Sequence, residues 1–85
     1  MADTAPTVES RVLGVLLPVL GIAPGDPGIG PDTDLWASGL DSLRGVSLMV
    51  GLEDEFAIEF PDEMLRRDTF TTVRSISEAV LAITG

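Results

Sequence analysis

The stretch GLDSLRGVSLMVGLEDEF, residues 39–56, carries two apolar stripes on one helical repeat. At about 100° per residue, Leu48, Met49, Leu52 and Phe56 share one sector, while Leu43, Val46 and Val50 fall nearly opposite. Only one stripe can face a small core. The longer one, ending in an aromatic residue, is assigned to it, and the spacing predicts a helix from Ser42 to about Ala57. Leu43, Val46 and Val50 are then exposed beside Ser42, as an interaction surface would be, unless the preceding loop covers them. Asp41 is placed to cap the helix by accepting from a free backbone N–H. Gly39 allows the backbone turn that leads into it.

Downstream, Glu53, Asp54, Glu55, Glu59, Asp62 and Glu63 form a run of acids with no base among them. Beside an exposed apolar stripe this predicts a patch for basic partners. Phe60-Pro61 breaks the helical pattern. Asp62 is expected to cap a short third helix through Arg67, supported by Asp62/Arg66 and Glu63/Arg67 at i,i+4 spacing, with Met64 and Leu65 packed inward. A last helix runs from Thr71 or Thr72 to about Ile83, with Val73, Ile76, Val80 and Ile83 on one face and Gly85 ending it. Phe70 is expected to plug the junction of these two helices.

Upstream, Thr7 is the expected cap of a first helix whose buried stripe is Val8, Val12, Leu16, Val19 and Leu20. Pro18 removes a hydrogen bond and costs about 3 kcal/mol or more in a helix interior. The helix therefore ends near Leu17 or kinks there. From Gly21 to Leu40, Pro24, Gly25, Pro27, Gly28, Gly30 and Pro31 punctuate a long loop. Ile29, Leu35 and Trp36 are its expected anchors, and Thr33 the expected cap of a short turn over residues 34–37. The reading is an all-α chain, a four-helix bundle with a long first loop and a short third helix, in a single domain 1–85 with residues 1–6 frayed.

Composition narrows the chemistry. The 85 residues hold no cysteine and no histidine, which leaves no disulfide framework, no thiolate metal site and no Ser-His-Asp hydrolase. Any thiol the protein uses must be imported. Five basic residues, all arginine, stand against fourteen acids for a net charge of −9, so nucleic acid is repelled. Asp32-Thr33-Asp34 opens like a calcium loop, but Leu43 stands where the closing glutamate would be. No segment is long enough to span a bilayer and the N-terminus lacks a signal-peptide pattern, which predicts a cytoplasmic protein.

The Asp-Ser-Leu at 41–43, followed at ungapped spacing by Val46, Leu48, Leu52, Glu53-Asp54-Glu55-Phe56 and Ile58-Glu59-Phe60-Pro61-Asp62-Glu63, resembles the phosphopantetheine-bearing acyl carrier proteins. That family has the same long first loop. Arg44 departs from its usual pattern, which often has an acidic or neutral residue there. The resemblance implies a covalent 4'-phosphopantetheine on Ser42, donated by coenzyme A through a phosphopantetheinyl transferase, with Asp41 supporting at that enzyme's Mg²⁺ site. The helix start suits this, since its free N–H groups and dipole favour an anion there.

On this reading the chain is no enzyme and has no catalytic residue or metal of its own. It is a monomeric shuttle that holds an acyl group as a thioester. Leu43, Val46, Val50, Asp54 and Glu55 are the expected partner-binding residues, read by the transferase, by an acyl- or aminoacyl-loading ligase and by downstream synthase or transferase enzymes. Gly-Leu-Asp-Ser-Leu looks more like the acyl carriers of fatty-acid, polyketide or other specialised-metabolite pathways. The stretch from Asp62 to Val73 is closer in spacing to discrete aminoacyl carriers such as the D-alanyl carrier, and an aminoacyl or peptidyl carrier is the alternative. An unmodified helical adaptor would explain the stripe and the acids but not the position of Asp-Ser-Leu.

Overall fold

The computed structural model describes residues 7–23 and 28–84. The expected fraying of residues 1–6, the helix end at Gly85 and the loop residues 24–27 lie outside the described residues. Three α-helices are present, α1 (Val8–Leu20), α2 (Ser42–Phe56) and α3 (Val73–Thr84), with no strand among the described residues. Val12 and Leu16 of α1, Leu48 and Leu52 of α2, and Val73, Ile76 and Val80 of α3 form a continuous buried core. Leu35, Leu40, Phe60 and Phe70 complete it from the connecting segments, the two phenylalanines meeting edge to face with centroids 5.6 Å apart.

The helix ends follow local chemistry. Thr7 Oγ1 accepts from Ser10 N at 3.0 Å as the cap of α1. The helix does not stop at Leu17; it runs on past Pro18 to Leu20 and closes at Gly21, whose N–H reaches the Leu17 and Pro18 carbonyls and whose φ of 72° turns the chain so that Ile22 N donates to Leu17 O. Pro18 lies in the last turn, where the helix forfeits one hydrogen bond and the glycine cap compensates at the exposed end. In α3, Thr72 and Ser75 cap each other reciprocally, Ser75 N donating to Thr72 Oγ1 and Thr72 N to Ser75 Oγ.

The expected short third helix is instead two 3₁₀ turns, Asp62–Met64 and Arg67–Phe70. Arg66 between them is extended, with φ −132° and ψ 154°, which breaks α-helical spacing. Neither the Asp62/Arg66 nor the Glu63/Arg67 ion pair forms, and Asp62 caps nothing. Met64 packs against the core as expected, but Leu65, whose own backbone has left helical geometry at φ −84° and ψ 65°, is 43% exposed.

The loop that leads to α2 is tied to the start of α3. Arg74 N donates to Pro31 O and Leu35 N to Thr71 O, and the Arg74 guanidinium grips both oxygens of Asp32 at 2.7 and 3.0 Å. That hydrogen bond holds the Asp32 carboxyl below its ordinary value and raises the guanidinium's. The turn at residues 34–37 is capped by Asp34, not Thr33. Asp34 Oδ1 accepts from Trp36 N and Ala37 N, while Thr33 Oγ1 closes back on Gly30 N. Leu35 is fully buried and Gly39, at φ 118°, makes the bend that places Asp41 over the start of α2.

Candidate functional site

Ser42 is the first residue of α2 and is exposed; its hydroxyl makes no hydrogen bond among the described residues. Asp41 caps the helix, Oδ1 accepting from Arg44 N at 2.8 Å. The Arg44 guanidinium folds back to Asp41 Oδ2 and to the Gly39 carbonyl, so the base carried by the first turn of α2 is spent on that turn. A free hydroxyl on a capped, solvent-facing first turn is positioned for modification by an external enzyme.

The residues expected around Ser42 separate into two groups. Leu43, Val46 and Val50 are 79, 57 and 54% exposed, so the loop does not cover them. Ser42, Val46, Val50 and Asp54 follow one another at i,i+4 along a single ridge. Glu55 does not join it. It lies on the side of α2 that faces α1, where its Oε2 accepts from Arg11 Nε at 2.9 Å. Arg11 also donates to the Glu55 backbone carbonyl and lies 4.4 Å over the Phe56 ring, tying the end of α2 to α1. Phe56 is accordingly half-buried under a guanidinium. Glu53 is also engaged, Oε2 accepting from Phe60 N. Asp54, Glu59, Asp62 and Glu63 have no ion pair among the described residues.

Sequence reasoning did not find the groove on the other side of Ser42. It measures about 390 Å³ and runs between the first turns of α2 and the two 3₁₀ turns. Val46, Met49, Leu65 and Phe70 give it an apolar lining, Trp36 and Gly45 close one side, and Arg66 and Arg67 add cationic groups. The Trp36 indole N–H donates to the Arg67 carbonyl, and the Arg67 guanidinium sits 4.9 Å from the ring centroid, so each fixes the other. The adjacent arginines in an acid-rich chain were the available signal. Expected i,i+4 ion pairs had accounted for them.

The donor set suits a phosphopantetheine. A serine hydroxyl is open to esterification, a groove with apolar walls begins at that serine, and cations flank it. No group of three or more acids, among the described residues, is arranged to hold a metal ion.

The family described as "Phosphopantetheine attachment site" matches residues 10–80. An aminoacyl carrier protein of Agrobacterium fabrum is 44% identical over 55 residues, covering 65% of this chain and 66% of its own length, slightly less than two thirds. Among solved structures, a chain in the complex of an engineered Bradyrhizobium japonicum glycine:(carrier protein) ligase with carrier protein from Agrobacterium tumefaciens and ATP matches with a TM-score of 0.77 and 35% identity. That match covers 91% of this chain and all of the other. The corresponding complex with AMP gives a TM-score of 0.77 at 33% identity, covering 86% and 97%.

Proposed function

Because the chain belongs to the phosphopantetheine-attachment family of carrier proteins, we propose that Ser42 bears the arm and that the protein carries an aminoacyl group on it as a thioester. The family's domain is the attachment site of covalent 4'-phosphopantetheine. That group, when bound, supplies the thiol that a chain without cysteine lacks. The observation that carries the assignment to Ser42 is its free hydroxyl on the capped first turn of α2, between an uncovered apolar ridge and a groove. Asp41 fixes that turn, and it supports the transferase's Mg²⁺ site.

The choice of an aminoacyl cargo rests on likeness to a carrier named for it and to carriers complexed with a glycine ligase. The partner that follows is a free-standing, ATP-using ligase that loads the arm, with a transferase consuming the thioester. The protein acts as a monomeric cytoplasmic shuttle whose helices make one carrier domain, and it is a substrate for these enzymes rather than a catalyst. A second reading, an acyl carrier for specialised metabolism, is favoured by the Asp41 that precedes the serine in Gly-Leu-Asp-Ser-Leu.

Intact mass after incubation with coenzyme A, Mg²⁺ and a broad-specificity transferase tests the attachment. One arm is expected on the wild type and none on Ser42→Ala; labelling of the alanine variant rejects the assignment. Offering the holo protein to an amino acid:carrier-protein ligase with glycine and ATP, and separately to an acyl ligase with a short-chain acid, tests the cargo. Loading by the acyl ligase alone would select the second reading.

A further inference from the structure

Three of the five arginines are neutralised by carboxylates, Arg11 by Glu55, Arg44 by Asp41 and Arg74 by Asp32. Arg66 and Arg67 have no carboxylate partner among the described residues, although the chain has fourteen acids. Both line the groove that Ser42 opens into. Such a placement is unexpected in a chain where acids outnumber arginines fourteen to five. The break of the third helix produces it, because the extended Arg66 takes both side chains out of i,i+4 register with Asp62 and Glu63. Trp36 then holds the Arg67 guanidinium in place before any ligand arrives.

We propose that Arg66 and Arg67 hold the phosphodiester of the protein's own arm, laying its pantoyl portion along the groove instead of leaving it free in solvent. This rests on Ser42 being the attachment point. A phosphodiester esterified to Ser42 is a permanent anion confined by its bond to the mouth of the groove, and arginine matches phosphate oxygens with paired N–H donors. The next segment of the arm carries two methyl groups, which suit the apolar lining of Val46, Met49 and Phe70. The anion is set by the arm and not by the cargo, so the contact serves any acyl or aminoacyl group. Both guanidinium groups are exposed, so the hold is reversible and screened by salt, as a shuttle that must present its thiol requires.

The only tryptophan reports on this groove. Apo and holo protein are compared by acrylamide quenching of Trp36 emission and by the NMR position of its indole N–H, with intact mass recording loading. Expected is full loading, weaker quenching and a shifted indole resonance in the holo form. Arg66→Gln/Arg67→Gln should load fully and keep its helicity but lose the apo-to-holo difference, and high salt should reduce that difference in the wild type. Full loading with no change at Trp36 overturns the proposal and leaves the attachment assignment standing. A change that persists undiminished in the double variant overturns the role of the arginines. Absence of any mass gain rejects attachment at Ser42, and the hold with it.

Discussion

Leu48 and Leu52 on one side of α2 are fully buried, while Leu43, Val46 and Val50 on the other remain 54–79% exposed. Side-chain type does not separate these five residues, since all are aliphatic. Position does: α1 and α3 already enclose one side with Val12, Leu16, Ile76 and Val80, and the segments that cross the other side stop short of its ridge. One side of the helix therefore pays the entropy of folding, at roughly 1–2 kcal/mol per ordered backbone residue, by leaving water. The other contributes little to folding, which leaves its residues available for a partner.

The difference between the two sides should show most strongly in stability. Leu52→Ala should cost about 2–5 kcal/mol, as truncation of a buried leucine does, whereas Val50→Ala should stay within about 0.5 kcal/mol. Denaturant midpoints at constant slope measure both. Equal losses would mean that the exposed ridge is covered in solution. Phe56→Ala should fall below Leu52→Ala, since its ring is half-buried under Arg11.

Two glycines probe the same difference at smaller scale. A Cβ at Gly51 would meet Val15 Cγ1 of α1 at 2.7 Å, too close without a shift. Overpacking then outweighs the helix-propensity gain, and Gly51→Ala should destabilise by about 1 kcal/mol. A Cβ at Gly45 would lie 3.8 Å from Trp36 Cη2, an ordinary contact. Gly45→Ala should therefore stabilise by roughly 0.5–1 kcal/mol, read as a higher thermal midpoint. If both substitutions moved stability in the same direction, the packing difference between the two sides of α2 would be lost.

The helices and their faces were legible in the sequence because period and caps are local: Thr7, Asp41 and the 3.6-residue spacing act within a few residues. The third helix was not. Its expected ion pairs assumed an α turn, and nothing local announced that Arg66 would be extended. The groove was equally hidden, since it depends on Trp36 meeting Arg67, 31 residues away. The same holds for Glu55, whose partner Arg11 lies 44 residues upstream. An acidic run read along the chain looked uniform, and only the fold separated its engaged members from its free ones.

Val46→Asp tests the exposed side by function. The side chain is 57% exposed, so the folded state should tolerate the charge, with helicity and midpoint nearly unchanged. Loading of the arm should slow because the substitution places an unpaired carboxylate against whatever apolar surface docks on the ridge. Wild-type loading rates would mean that partners approach from another face.

The smallest effects are expected from two neighbouring acids that the sequence treats alike. Asp54 follows Val50 along the exposed ridge and has no ion pair among the described residues, whereas Glu55 faces α1 and is held by Arg11 at 2.9 Å. A basic partner that docks on the ridge meets the first charge directly and the second only after Arg11 has offset it. Asp54→Lys should therefore slow association with a loading enzyme and flatten its salt dependence while leaving stability unchanged, because exposed charges act mainly on encounter and are screened over roughly 8–10 Å. Glu55→Lys should do the reverse. It sets two cations against each other at the α1–α2 contact and should cost up to about 1 kcal/mol, the range of exposed ion pairs, with a weaker effect on association. Rates at two ionic strengths, alongside denaturant midpoints for each variant, separate the two. If Glu55→Lys altered the salt dependence as much as Asp54→Lys, the Arg11 pairing would not shield Glu55 from partners, and both acids would belong to one docking surface.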